Sequence, residues 1–385
     1  MKIEHLSLCT GCHSCYSICP KNAIKMVSNE EGFLIPSINN DRCISCGLCE
    51  KKCPILNERD TSESAKKAYL LRIYDKEVLL DSSSGGVFYS LAENIIKNEG
   101  VVFGARFTED YRVIHDCCSS LDELAQFRKS KYVQSEIGES YKKCRDYLEN
   151  NVFVLFCGTG CQIAGLKSYL GKKYKNLICV DLICHGVPSP FVWKEYLEFL
   201  KKKSEITYLS FRNKNLGWHD HSLIIKMENG KTIYDTHKKG PYLVFFLKNL
   251  NLRKSCYECK FKTINRDADI TLADFWGLEK VFPDIDDNKG YSLVLGNSDK
   301  GNELISKLNN CFCKEISYEF AIKYNSALVK SVEKPSDRDS FYEELKMHGF
   351  KFVTKKYANL DLKNMFVYKL VMLKKLIKYQ MNKGK

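Results

Sequence analysis

Cys9-Thr10-Gly11-Cys12-His13-Ser14-Cys15-Tyr16-Ser17-Ile18-Cys19-Pro20 is followed by Cys43-Ile44-Ser45-Cys46-Gly47-Leu48-Cys49-Glu50-Lys51-Lys52-Cys53-Pro54. Both read C-x2-C-x2-C-x3-C-P, the spacing that ligates cubane 4Fe-4S clusters. Three closely spaced thiolates reach three irons of one cube, whereas the fourth, set apart and stiffened by a proline, points to the other cube. The expected ligand sets are therefore crossed: Cys9, Cys12, Cys15 with Cys53, and Cys43, Cys46, Cys49 with Cys19. A zinc site closes with four ligands and gives no reason to repeat an eight-cysteine pattern with both prolines. Two 4Fe-4S clusters in a small ferredoxin-type domain, residues 1–57, are the expectation.

Outward from this stretch, the 385 residues are enough for about two or three domains, and a hydrophobic fraction of 44% is ordinary for a soluble protein. Nineteen cysteines would suggest disulfides in a secreted chain, but MKIEHLSLC has no apolar signal region and the cysteines take cluster spacing. A reducing cytoplasm is expected. No apolar run is long enough to span a bilayer. The net charge is +13, of which +9 falls in residues 351–385, where ten lysines face one acid, Asp361. The body before it is nearly balanced and has no basic patch interleaved with aromatics, which argues against nucleic acid.

Residues 58–67 are polar and read as a linker. Ala68 to Tyr74 reads as a strand. Ser82-Ser83-Ser84-Gly85-Gly86 then opens an amphipathic helix, Val87 to Lys97, with Phe88, Leu91 and Ile95 at helical spacing. Small hydroxyl residues and two glycines before a helix form either a nest for a phosphate or an ordinary serine cap with a flexible loop. Val101–Phe107 and Arg112–Cys118 read as paired strands. The loop Arg128-Lys129-Ser130-Lys131-Tyr132 offers cations to a diphosphate, or else is a solvated surface. A helix from Glu139 to Glu149 follows.

Val152–Phe156 leads through Cys157-Gly158-Thr159-Gly160-Cys161-Gln162 into a helix ending near Leu170. Leu177–Ile183 leads through Cys184-His185-Gly186-Val187-Pro188-Ser189-Pro190 into a second, Phe191–Lys202. Two strand-turn-helix units in a row imply parallel strands with right-handed crossovers and both turns at the ligand-binding carboxyl edge. The glycines at 158, 160 and 165 do not form the dinucleotide fingerprint. Ile206–Phe211 is another strand. His219 and His221 share a face beyond it, without a third metal ligand indicated, and read as a polar site edge. Leu223–Met227 and Lys231–Asp235 form a hairpin around Asn229-Gly230. Cys256-x2-Cys259 needs partners, and the turn cysteines Cys161 and Cys184 are candidates for a third 4Fe-4S cluster; the alternative is that both are packed as small hydrophobes. Cys117, Cys118, Cys144, Cys179, Cys311 and Cys313 are expected to be structural. Strand Ile270–Phe275, strand Tyr291–Gly296 and helix Asn302–Leu308 follow, and the chain ends in helical segments. The last, Leu362–Lys378, reads as a helix docked on the body or a basic amphipathic helix on an anionic membrane or acidic partner.

These stretches together resemble the coenzyme F420 hydrogenase/dehydrogenase beta-subunit family from about Tyr69 to Gly301. The carriers are Ser83-Ser84-Gly85-Gly86-Val87-Phe88, Lys129-Ser130-Lys131-Tyr132, Gly158-Thr159-Gly160-Cys161-Gln162, Cys184-His185-Gly186-Val187-Pro188-Ser189-Pro190, Cys256 with Cys259, and Asp269-Ile270-Thr271-Leu272-Ala273-Asp274-Phe275-Trp276-Gly277. The family usually has proline where Gly160 stands and often glycine where Ala273 stands. The resemblance implies FAD near the serine-glycine and glycine-turn segments, held by Ser83, Ser84, Gly85, Gly86, Lys129, Lys131, Tyr132, Gly158, Thr159 and Gln162. It also implies a cluster on the later cysteines, Cys161, Cys184, Cys256 and Cys259.

The expected architecture is α/β (α+β overall): the ferredoxin-like domain, then an α/β flavin-binding body with a mixed, partly parallel sheet, divided 68–150 and 151–327, and a helical basic tail, 328–385. The expected function is an iron-sulfur flavoprotein oxidoreductase. It passes electrons between a ferredoxin-like donor or acceptor and, through FAD, a deazaflavin coenzyme or another small organic substrate. His185 is the candidate proton donor, with Arg212 and Lys214 holding an anionic substrate. The rival is a non-catalytic electron relay or accessory subunit that docks on a partner through its basic tail.

Overall fold

The polypeptide alternates short strands and helices, and the computed structural model describes residues 2–58, 66–236 and 240–358. Most of the expected linker and the whole Leu362–Lys378 helix lie outside the described residues. Thirteen strands are formed among them: β1 (Ile24–Ser28), β2 (Leu34–Ile38), β3 (Lys67–Ile73), β4 (Val101–Phe107), β5 (Val113–Cys118), β6 (Val154–Thr159), β7 (Leu177–Leu182), β8 (Ile206–Asn213), β9 (Ser222–Met227), β10 (Thr232–Thr236), β11 (Ile270–Asp274), β12 (Ser292–Gly296) and β13 (Cys311–Ile316). The large sheet has the order β13-β3-β12-β11-β7-β6-β4-β5. Its central strands β11, β7, β6 and β4 are parallel, and antiparallel strands extend it on both sides. The sheet is therefore mixed, as anticipated, and it runs through the 150/151 division.

Period-two alternation explains why the sheet is covered on both faces. Leu155, Ile178 and Val180 point into one core with Leu91 and Ile95 of the helix Val87–Lys97. Their neighbours Val154, Phe156, Leu177 and Cys179 point into the other, with Tyr141 of the helix Ser140–Glu149 and Ile163 and Leu166 of the helix Gly160–Leu170. A second sheet, β10-β9-β8, packs with the helices Pro190–Lys201, Pro241–Leu247 and Arg338–Tyr357 in a third core. Residues 328–358 therefore belong to the body. β13, an edge strand, appears where helical segments were expected after residue 308. Of its residues only Cys311 is buried and Cys313 is exposed, whereas Cys118, Cys144 and Cys179, expected like them to be structural, are buried.

The cysteine-rich module, with hairpin β1–β2, sits against the helix Gly160–Leu170. A side-chain carbon at Gly165 would lie 2.9 Å from Cys12 Cβ and 3.0 Å from its Sγ. Ser14 and Ser168 both donate to the Lys52 carbonyl at 2.8 Å, one from each side of the junction. On the far side, Arg338 of the last described helix is fully buried and grips Glu31 through Nη1 and Nη2 at 2.8 and 2.6 Å, while donating to the Leu252 carbonyl at 2.7 Å. This clamp ties the first module to the end of the body across 307 residues.

Arg338→Met leaves the Glu31 carboxylate with the more distant Lys254 as its remaining cation, at 3.7 Å. Breaking a buried pair by removing one partner costs about 3 kcal/mol or more. The expected result is that loss in denaturant unfolding, with faster hydrogen exchange in β1–β2. A loss below about 1 kcal/mol, within the range of an exposed pair, would show that the clamp does not hold the module.

Candidate functional site

Each half of the cysteine pattern turns sharply to aim its thiols inward. Gly11 takes φ +66°, and a side-chain carbon there would fall 2.6 Å from Gln134 Nε2 and 2.7 Å from the Leu34 carbonyl. His13 and Gly47, just before the two short module helices, are also left-handed, at φ 63° and 71°. The result is two cavities. One is lined by Cys9, Cys12, Cys15 and Cys53, the other by Cys43, Cys46, Cys49 and Cys19. These are the crossed sets.

A third cavity lies at the carboxyl ends of β6 and β7 and is lined by Cys161, Cys184, Cys256 and Cys259. Cys161 stands in the first turn of its helix, whose start is fixed by a capping box between Thr159 and Gln162. Cys184 follows β7, and Cys256 and Cys259 come from the loop before β11. Thr10 lines both this cavity and that of Cys9, so the two share a wall.

The donor chemistry of all three fits an iron-sulfur group. Every cysteine is free. Backbone N–H groups of Gly11, Ala23 and Val187 donate to the sulfurs of Cys9, Cys19 and Cys256 at 3.4, 3.2 and 3.3 Å, the contacts that stabilise cluster thiolates. Burial pushes the thiols of Cys12 and Cys184 up to about 12 and of Cys256 up to about 11, so a cationic core is what would draw out their protons. Among the described residues no group of three or more His, Cys, Asp or Glu is arranged to hold a single metal ion. The thiols instead ring open volumes.

The serine-glycine turn meets the basic loop. Ser130 N donates to Ser83 Oγ at 2.9 Å, and the two hydroxyls are 3.1 Å apart. Ser84 Oγ donates to the Tyr291 carbonyl and Gly85 N to Ser292 Oγ, at 2.5 and 2.9 Å. Gly85 is required by packing, since a side-chain carbon would lie 2.4 Å from the Leu71 carbonyl. The ammonium groups of the loop have partners within the protein: Lys129 pairs with Asp81 at 2.6 Å, and Lys131 Nζ donates to the carbonyls of Gln126, Arg128 and Lys129. Tyr132 stacks on Phe246 with ring centroids 4.7 Å apart. Gly158 lies under the Gln162 side chain, whose Oε1 would be 3.1 Å from an added side-chain carbon, and that oxygen accepts from Thr159 N.

The three catalytic candidates are differently employed. Arg212 is buried and donates to Asp274 at 2.5 Å and to the Ser83 carbonyl at 2.9 Å. Lys214 Nζ donates to the carbonyls of Leu79, Ser84 and Lys289 at 2.8, 2.6 and 2.8 Å. Both hold the serine-glycine turn in place, so neither presents a free charge to an anionic substrate. His185 Nε2 lies 2.7 Å from Asn249 Oδ1, and its ring meets Phe246 edge-on, beside Cys184. His219 pairs with Asp286 at 2.8 Å and His221 contacts Arg212, which makes them the polar edge anticipated.

Sequence reasoning passed over three features. Asp181, buried in β7, pairs with Arg266 at 2.6 Å at the edge of the third cavity; an acid inside the apolar run Leu177–Ile183 was the available signal. Trp276 stacks on the buried Trp218 with centroids 4.9 Å apart, next to Arg212. Trp276 lies within the Asp269–Gly277 stretch on which the resemblance rests, but nothing local to either tryptophan signals that the two stack. Arg253 enters the first module from the body, and a lone arginine before Cys256 carries no signal of that reach.

Residues 153–317 match the family model for the C terminus of the coenzyme F420 hydrogenase/dehydrogenase beta subunit, and residues 8–56 match the 4Fe-4S dicluster domain. An uncharacterized polyferredoxin-like protein of Methanocaldococcus jannaschii is 27% identical over 88 residues, 18% of this chain and 52% of that protein. Pyruvate synthase subunit PorD of Thermotoga maritima is 38% identical over 52 residues, 14% of this chain and 48% of that protein. The chain thus spans about half the length of the curated relatives it matches. Among solved structures, a chain of the F420-reducing NiFe hydrogenase complex from Methanosarcina barkeri aligns with a TM-score of 0.49 at 15% identity, covering 76% of this chain and 96% of that one. The chain carries a ferredoxin-type, iron-sulfur electron-transfer domain joined to an oxidoreductase beta-subunit domain.

Lys214, which is buried, gives the body a pH signature independent of any cofactor, and the half-buried Lys131 adds to it. Burial pushes Lys131 down to about 7, and burial with Arg212 nearby does the same to Lys214. Between pH 7 and the unfolded lysine value of about 10.5 the unfolded chain binds more protons, so stability rises with pH across that window and is flat in this respect below it. In Lys214→Met the rise should be shallower than in the unaltered protein when unfolding is followed from pH 7 to 10. Parallel curves would show that Lys214 keeps an ordinary proton affinity in the fold.

Proposed function

We propose that this chain is an iron-sulfur flavoprotein oxidoreductase in which three 4Fe-4S clusters, one in each four-cysteine cavity, feed an FAD at the carboxyl edge of β6, β7 and β11. The observation that carries the reading is the third cavity: four cysteines from three separate segments, Cys161, Cys184 and the Cys256–Cys259 pair, converge beside the Gly158–Thr159 turn, with Thr10 as a common wall to the first module. Electrons pass between a one-electron carrier at the ferredoxin-type domain and the body through the shared wall. A flavin supplies the conversion of one-electron steps to the two-electron chemistry of an organic substrate.

The Ser83–Gly86 turn, the Lys129–Tyr132 loop and Gly158–Thr159 are the segments that would hold the FAD. Their convergence supports this: Ser83 touches Ser130, Arg212 fastens Ser83 to Asp274 at the end of β11, and His115 bridges Ser135 to the Cys157 carbonyl at the end of β6. A deazaflavin coenzyme is the first candidate substrate, in keeping with the family that residues 153–317 match. His185, the candidate proton donor, lies beside Cys184 at the same edge, with its Nε2 2.7 Å from Asn249 Oδ1.

A second reading has an observation of its own. The ammonium groups of Lys129, Lys131 and Lys214 are all engaged within the protein, which suits a relay that binds clusters and passes electrons to a partner without handling a substrate.

Anaerobic purification with iron, acid-labile sulfide and released flavin counted per chain separates the two. The expected result is about twelve irons and about one FAD, falling to about eight irons in Cys259→Ala. About twelve irons without flavin, after reconstitution with FAD, would favour the relay. About eight irons in the unaltered protein would remove the third cluster.

A further inference from the structure

Two anionic clusters on either side of a thin wall repel each other, and each added electron sharpens that repulsion in a low-dielectric interior. Between the first and third cavities Arg253 sets a fixed positive charge that touches both sides, and Lys260, next to Cys259, also crosses, its Nζ donating to the Ile55 carbonyl at 3.3 Å. Arg253 is 5% exposed and lines the third cavity. Its Nε donates to the Cys9 carbonyl at 2.7 Å and its Nη2 to the Leu34 carbonyl at 3.0 Å, both in the first module. Its own backbone N–H donates to the Val187 carbonyl, and Val187 N donates to Cys256 Sγ, at 3.0 and 3.3 Å. One residue thus links the loop of a first-cavity ligand to the loop of a third-cavity ligand.

Two details set this arginine apart from the other cations near the cavity. Nη1 is buried without a hydrogen-bond partner among the described residues. That same atom lies 3.0 Å from where a side-chain carbon of Gly11 would stand, so the glycine leaves room for the guanidinium against the Cys9–Cys12 loop. Lys262 and Arg266 also line the third cavity, but their hydrogen bonds go to His185, Phe261, Asp181 and Leu182 of the body. A guanidinium stays protonated under all working conditions, so its charge is constant.

We propose that Arg253 is the positioning residue for electron transfer between the ferredoxin-type domain and the body: its fixed charge raises the reduction potentials of the two clusters flanking it and leaves the Cys43 cluster untouched. The inference rests on the reading of the third cavity as a cluster site. In the step it serves, the cluster at Cys9 loses one electron and the cluster at Cys161 gains it, with dithionite as the external reductant in the test. Charge near a cluster and hydrogen bonds to its sulfurs are established controls of potential.

The test is an EPR-monitored redox titration of the full chain, unaltered and as Arg253→Gln and Arg253→Lys, with iron counted in each. The Cys43 cluster is identified by the signal that Cys46→Ser alters. In Arg253→Gln, which keeps an N–H donor without the charge, both flanking clusters should become about tenfold harder to reduce, or about 59 mV more negative for one electron. The Cys43 cluster should stay in place, and Arg253→Lys should recover half or more of the shift. Unchanged potentials at full iron content overturn the proposal. So does an equal shift in both variants, which would assign the effect to hydrogen bonding alone. If Arg253→Gln does not fold, a shift of tenfold or more in Arg253→Lys, which keeps the charge, overturns it as well. Should the unaltered protein carry only about eight irons, the third-cluster reading fails, and the Cys9 cluster alone still tests Arg253.

Discussion

The Gly165–Cys12 contact is the constraint on which the arrangement of this protein depends. A helix that carried any side chain at position 165 would stand off from the first module, because the space a β-carbon needs is filled by Cys12 Cβ and Sγ. The same helix begins with Cys161 and spans the crossover from β6 to β7. Seating the module on this helix therefore brings Thr10 to the wall of the cavity that Cys161 lines. One missing methyl group couples the module, the central sheet and the junction between cavities.

Around that junction the protein places its charges in pairs that span long stretches of chain. Glu31 and Arg338, Asp181 and Arg266, and Arg212 and Asp274 each join segments that local folding does not bring together. Such pairs are weak sources of net stability when compared with apolar replacements, but losing one partner is expensive. Their effect is to penalise alternative placements of the loops they hold. The serine-glycine turn illustrates this: Lys214 takes the Leu79 and Ser84 carbonyls and Arg212 the Ser83 carbonyl, so the turn is held from below by two buried cations.

Much of this was legible in the chain. The helix Val87–Lys97 and the strand Val101–Phe107 have the anticipated bounds, because Leu91 and Ile95 recur at helical spacing and the strand is a continuous apolar run. The cysteine sets were legible because the spacing of Cys9 to Cys19 and of Cys43 to Cys53 is local. The fates of Arg212, Lys214, Lys129 and Lys131 were not, since an ammonium group's partner carbonyl lies anywhere the fold brings one. Lys214 meets Ser84 across 130 residues and Lys289 across 75. β13 was missed for a related reason: an edge strand, CFCKEI, in which only Cys311 is buried, carries little of the apolar signal of a central strand.

The three cavities also differ in their access to water, and that difference orders them. At the outer cavity Cys49 is buried but Cys46 is exposed and Ile44 beside it is 57% exposed, whereas none of the eight cysteines of the inner two is exposed. Solvent screens charge at the outer position, so a fixed cation there would do little to whatever the thiols hold. At the inner positions screening is weak, and the same cation acts at close to full strength. Arg253 lies between the two buried cavities and not beside the exposed one. The charge of Arg253 stands where the dielectric lets it act.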